Sequence, residues 1–126
     1  EIEVSMRRYV RAKIHGLRVT TSALRYHGSV GIDEDLLKAA DIDHFEAVDV
    51  VNLNTGDRWQ TYAIPAGKGE FCLNGGSARL GCVGDECLII VYGYGDRFEG
   101  AKVLMVGAEN TVIDSFDYRD GVPPKK

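Results

Sequence analysis

Gly28-Ser29 places a hydroxyl one residue after a carbonyl with no side chain beside it. A serine Oγ can attack the preceding carbonyl carbon through a five-membered ring and turn the peptide bond into an ester. Glycine at the attacked position has no Cβ to block the approach and tolerates dihedrals that other residues avoid. Gly-Ser is also a common turn dipeptide, so the pair alone does not separate self-processing from an ordinary turn. Further along stand Arg58 and Tyr62. A planar guanidinium fork suits a carboxylate, and a positioned phenol can deliver a proton. The plainer readings are a solvated charge beside Asp57 for Arg58 and a packing residue in a strand for Tyr62.

Several familiar site patterns fail. Ala66-Gly67-Lys68-Gly69 lacks the upstream glycine and the following Ser or Thr of a P-loop. Gly75-Gly76 and Gly81 make no dinucleotide fingerprint, and no βαβ pattern surrounds them. Gly28-Ser29-Val30-Gly31 is no nucleophile elbow, because His27 stands where that motif needs glycine. His15, His27 and His44 are dispersed without metal-ligand spacing. Cys82 and Cys87 are four residues apart plus one, but no second ligand pair follows, so no metal is expected. Cys72, Cys82 and Cys87 read instead as buried small apolar residues.

The elements that must position these residues read as short strands. Tyr9 to Ile14 alternates apolar and basic, placing Arg11, Lys13 and His15 on one face. Leu17 to Thr21 reads as a second strand, and Ser22 to Ile32 as turn-like. Asp33 suits the N-cap of a short helix reaching Ala40, with Glu34 and Asp35 in its first turn. Glu46 to Leu53 and Arg58 to Ile64 read as a hairpin about Asn54-Thr55-Gly56-Asp57. Period two then puts Arg58, Gln60 and Tyr62 on one face and Thr61 on the other. Pro65 to Glu70 reads as a loop and Asn74 to Ser77 as a tight turn. Glu86 to Tyr92 reads as a strand buried on both faces, and Tyr94 to Gly100 as a polar loop. Lys102 to Val106 and Thr111 to Phe116 read as a last hairpin. About seven strands and one helix predict a small β-barrel or sandwich.

As a set, Lys13-Ile14-His15, Arg25-Tyr26-His27-Gly28-Ser29, Asn54-Thr55-Gly56-Asp57-Arg58, Thr61-Tyr62-Ala63-Ile64, Asn74-Gly75 and Val83-Gly84-Asp85 resemble the pyruvoyl-dependent aspartate 1-decarboxylases. The resemblance covers roughly residues 7–92. It implies a mainly β fold, a six-stranded double-psi β-barrel with short helices, assembled as a homotetramer with sites between subunits. It implies cleavage between Gly28 and Ser29, leaving a covalently attached pyruvoyl group derived from Ser29. That group would bind L-aspartate as a Schiff base and yield β-alanine and CO2 for pantothenate biosynthesis. By the same resemblance Arg58 clamps a substrate carboxylate, Lys13 supplies a second positive charge and Tyr62 protonates the product carbon. Thr61 belongs to the cleavage step, Asn74 and Gly75 stabilise oxyanions near the group, and His15 and Tyr26 support the site. Gly76-Ser77 departs from the two alanines common there, a change expected to loosen the pocket. Gly93 to Ala101 departs from a short acidic segment, so a lid or subunit contact is expected to differ.

Length and composition bound the rest. The 126 residues carry a net charge of −4, with 44% apolar and 27% charged residues, ordinary for one globular domain. Fifteen glycines exceed the usual ~7% and fit many tight turns. Acidity argues against a nucleic-acid partner, and the longest apolar run, Cys87 to Tyr92, falls far below the ~20 residues that span a bilayer. The odd cysteine count and the lack of a secretory pattern predict reduced thiols in the cytoplasm. Residues 1–5 are set aside as a probable remnant or disordered segment. Residues 6–120 are expected to form one barrel domain, and 121–126 to fray. The rival reading is an unprocessed, non-catalytic barrel that serves as a ligand-binding or structural module. Cleavage is either spontaneous or assisted by a helper protein, and no motif separates the two.

Overall fold

The computed structural model describes residues 6–121. Residues 1–5, set aside above, and the tail beyond Gly121 lie outside the described residues. Among the described residues nine strands form one sheet: β1 (Arg7–Arg18), β2 (Thr21–Ala23), β3 (Ser29–Asp33), β4 (Ala47–Asn52), β5 (Arg58–Ala66), β6 (Phe71–Asn74), β7 (Glu86–Gly95), β8 (Lys102–Val106) and β9 (Val112–Asp117). Their order is β2-β6-β3-β5-β4-β7-β1-β8-β9. One α-helix, α1 (Glu34–Ala40), joins β3 to β4, and 3-10 turns occupy Gly75–Arg79, Ala108–Asn110 and Tyr118–Asp120. The fold is therefore mainly β with short helices, a small barrel-like domain as the sequence predicts.

Three pairings are parallel: β1 with β8, β2 with β6, and β3 with β5. Parallel neighbours need long crossovers, so distant segments meet in one wall. Asn110 ties the end of β1 to the loop before β6. Its amide oxygen accepts from Arg18 N at 2.8 Å, and its amide nitrogen donates to Gly69 O at 2.9 Å. The core is a single cluster that includes Ile14, Leu17, Val30, Ile32, Leu37, Val48, Val50, Phe71, Leu73 and Ile89. Burying each such side chain contributes roughly 1.5–3 kcal/mol before conformational entropy is counted.

Several sequence expectations are corrected. The two strands expected over Tyr9–Ile14 and Leu17–Thr21 are one strand that ends at Arg18. A register shift between His15 and Leu17 keeps it continuous. Gly16 makes this possible: its φ is +98°, and a Cβ there would meet Val106 O at 2.6 Å. Ser29 to Ile32 is a fully buried strand rather than a turn. The strand β6 went unread. β7 alternates, with Cys87, Ile89 and Val91 buried and Leu88 and Ile90 only half-buried, so just one face is core. Among the cysteines, Cys87 is buried, Cys72 half-buried and Cys82 exposed; the buried reading therefore fails for Cys82, which sits in the turn before β7. Burial pushes the Cys87 thiol up to about 12, with help from Asp85 and Glu86. No helix among the described residues is long and apolar enough to cross a membrane.

Candidate active site

Ser29 opens β3, the strand held between β5 and β6. It is 1% exposed, whereas Gly28 before it lies on the surface. The Ser29 hydroxyl donates to the His27 carbonyl at 3.4 Å. Its oxygen accepts from Asn74 Nδ2 at 3.1 Å. Asn74 ends β6 directly opposite Ser29 in the antiparallel register, so the sheet itself delivers the amide to the hydroxyl. An amide N–H fixed on an oxygen stabilises charge that develops there.

Gly75 backs this junction. Its φ is +60°, and a Cβ would lie 2.7 Å from Gly28 Cα and from Tyr26 O. Only glycine permits that approach. A Cβ on Gly28 itself would meet nothing within 4 Å. The steric demand that the sequence seemed to put on Gly28 thus falls on Gly75.

The hairpin of β4 and β5 carries the second group. Arg58 Nη2 donates to Asp49 Oδ2 at 2.9 Å and to the Tyr92 hydroxyl at 2.5 Å. These hydrogen bonds raise the guanidinium further above its ordinary value. Gln60 donates to the other Asp49 oxygen at 3.2 Å. Asp49, Gln60, Tyr92, Arg8, Glu46, Ala47 and Tyr94 line a cleft of about 240 Å³. Tyr62 shares the Arg58 face of β5, as alternation requires, but its ring packs toward Phe45 with centroids 6.2 Å apart. Phe45 is 73% exposed and holds a φ of +66°, a strained conformation for a bulky residue.

Thr61 is half-buried on the opposite face, the side that Trp59 shares. Trp59 Nε1 donates to Ser77 Oγ at 3.0 Å, so this face looks toward the turn that follows Asn74. The β3–β5 register pairs Val30 with Ala63. Continued by one residue, it sets Ser29 level with Tyr62, while Arg58 lies about 13 Å down the strand. Lys13 stands on β1, with β5, β4 and β7 between it and β3 in the strand order. Its amine donates to the Tyr118 hydroxyl at 3.1 Å. His15 shares the Lys13 face. Burial pushes its imidazole below the ordinary value, the Lys13 cation adds to the effect, and Glu86 opposes it. Tyr26 is 57% exposed and meets His27 edge-on.

One chain thus brings together Gly28, Ser29, Asn74 and Gly75, and keeps Arg58 and Lys13 in separate groups. Sequence reading missed Asp49, Tyr92, Trp59 and Ser77. The hairpin turn contained a signal for Asp49, because its register sets Asp49 opposite Gln60. Tyr92 and Ser77 arrive from elements distant in sequence, and no local pattern announces them. A wider open cleft of about 730 Å³ beside α1 and His44 holds none of the predicted site residues.

Fold and site define a small mainly β, barrel-like domain built around a glycine–serine junction whose serine is buried. The family model described as aspartate decarboxylase matches residues 5–113, and the chain belongs to that family. The aspartate 1-decarboxylase of Desulfitobacterium hafniense (strain DCB-2) is 53% identical over 113 residues, 85% of this chain and 89% of that one. That of Syntrophobacter fumaroxidans is 47% identical over 107 residues, 80% of this chain and 86% of its own. That of Campylobacter hominis is 38% identical over 109 residues, covering 83% and 96%.

Proposed function

We propose that this chain cleaves itself between Gly28 and Ser29 and, with the pyruvoyl group so formed, converts L-aspartate to β-alanine and CO2. The observation that carries the reading is the buried Ser29 oxygen held by the Asn74 amide, in a chain of the aspartate decarboxylase family. In the first step the Ser29 Oγ bonds to the Gly28 carbonyl carbon. The Gly28–Ser29 C–N bond breaks, and the hydroxyl proton passes to the freed nitrogen. Loss of the Ser29 α-proton then expels the Gly28 carboxylate and leaves an enamine at residue 29. Water takes the place of the nitrogen, which departs as ammonia. The chain ends as 1–28 and 29–126.

The surroundings of Ser29 fit such a group. The Asn74 amide and the backbone at Gly75 offer donors to an oxygen, and Gly75 leaves room where any side chain would collide. The pyruvoyl carbonyl supplies an electron sink for a departing α-carboxylate. The remaining work belongs to side chains. Arg58, half exposed with Asp49 and Tyr92 fixing its fork, binds a substrate carboxylate. Lys13 adds positive charge, and the Tyr62 phenol delivers the proton that replaces CO2. Thr61 assists the cleavage step, and His15 and Tyr26 line the approach.

Arg58 and Lys13 stand apart from Ser29 within one chain. This separation supports a site shared between copies of the chain in a homotetramer, where one copy's cations face another's Ser29. The reading is tested by assaying β-alanine formation from L-aspartate with the parent and with Ser29→Ala. The parent is expected to turn over, and the variant, unable to form the ester, to be inactive. Equal activity of the two would overturn the reading.

A further inference from the structure

Asn74 stands at the N-cap of the 3-10 turn Gly75–Arg79, a position where asparagine ordinarily caps the free N–H groups. Here its side chain makes no capping bond; the amide points at Ser29 instead. The turn therefore lacks its local anchor at the end that meets the glycine–serine junction. Gly76 follows, exposed and with open space where a Cβ would sit, so nothing at that position stiffens the backbone. The next residue, Ser77, is 5% exposed, and its hydroxyl accepts the indole N–H of Trp59 at 3.0 Å. Trp59 packs against the hydrophobic core on β5. The far end of the turn has separate tethers, from Ser22 Oγ to Ala78 O at 3.3 Å and from Asn52 Nδ2 to Leu80 O at 2.9 Å.

We propose that Trp59 and Ser77 are positioning residues for cleavage: their hydrogen bond replaces the missing cap and holds Asn74 and Gly75 against Gly28–Ser29. The inference rests on the self-cleavage reading above and adds to it the device that sets the geometry. The side-chain hydrogen bonds of Ser29 go to His27 and Asn74, not to Trp59 or Ser77. Their effect is to fix the near end of the turn, so that the Asn74 amide stays on the Ser29 oxygen while the ester forms. A positioned donor loses effectiveness steeply when it can wander.

The test follows the loss of intact chain by denatured mass over time in the parent, Trp59→Phe, Ser77→Ala and the double variant, with the thermal midpoint of each. Losing the bond is expected to slow cleavage about five- to tenfold in each single variant. The double variant is expected to be no slower than the slower single, because the two side chains make one bond. Ser77→Thr, which keeps the hydroxyl, is expected to recover most of the parental rate. A merely structural role would lower the midpoint without this non-additive pattern in rate. Parental rates in both single variants, or a double variant slowed by the product of the two, would overturn the proposal while leaving self-cleavage standing. A parent that never cleaves would overturn both.

Discussion

Gly75 and Gly76 are adjacent and face opposite constraints. Gly75 has a left-handed φ and no room for a methyl group, while Gly76 has open space around it and no left-handed φ. Gly75→Ala is expected to destabilise the fold by roughly 2–4 kcal/mol, from backbone strain and overpacking. Gly76→Ala is expected to stabilise it by about 0.4–1 kcal/mol, through a less flexible unfolded chain. Denaturant midpoints of the two variants check both signs. The looseness expected from Gly76-Ser77 is thus confined to Gly76, since the Ser77 hydroxyl is bonded. His15 gives the pH prediction. Its imidazole titrates below its ordinary 6.5, chiefly through burial. Its contribution to stability is complete above about pH 6.5 and is lost as pH falls through the lower folded value. His15→Gln removes this loss, so the fall in thermal midpoint from about pH 7 to 5 is expected to be shallower in the variant. At this scale Arg58 and Tyr62 were legible as sharing a face, because alternation alone decides that. Their separate partners, Asp49 with Tyr92 for one and Phe45 for the other, depend on register and on chain segments that no local rule brings in.

The elements divide by the kind of signal each carries. The helix α1 was readable because Asp33 announces it: its Oδ1 accepts Asp35 N at 2.8 Å. The same carboxylate also does something the cap signal did not reveal, since its Oδ2 accepts Gly69 N at 2.8 Å. Asp33 thereby ties the helix start to the loop before β6. Asp33→Ala removes both bonds from a nearly buried site and is expected to lower stability by about 2 kcal/mol, measured by denaturant unfolding. The β4–β5 hairpin was legible from its Asn-Thr-Gly-Asp turn, where Gly56 N donates to Asn52 O at 2.8 Å. The strand β6 was not legible. Four residues, Phe71 to Asn74, are too few to show alternation, and three of them are buried. The strand β3 reads as a turn because Gly28, Ser29 and Gly31 suggest one; pairing with β5 and β6 and burial of every residue override that local preference.

At the scale of the whole molecule, the mainly β class was legible from short alternating segments and many glycines. The strand order was not, because the parallel pairings join segments far apart in sequence and composition does not encode them. The same topology explains why the proposed site residues stand in separate groups. Ser29 and Asn74 meet through neighbouring strands, whereas Lys13 stands on β1, with three strands between it and Ser29's own. The proposed assembly of several copies would reunite them, and a net charge of −4 is small enough not to oppose it strongly. In the proposed reaction the Gly28–Ser29 bond is chemically unstable in the folded protein. The most direct measurement is the denatured intact mass of the purified chain. Two pieces divided between residues 28 and 29 are expected, with the larger lighter by one ammonia than an unmodified chain starting at Ser29. A single unbroken chain that stays unbroken after prolonged warming would contradict it.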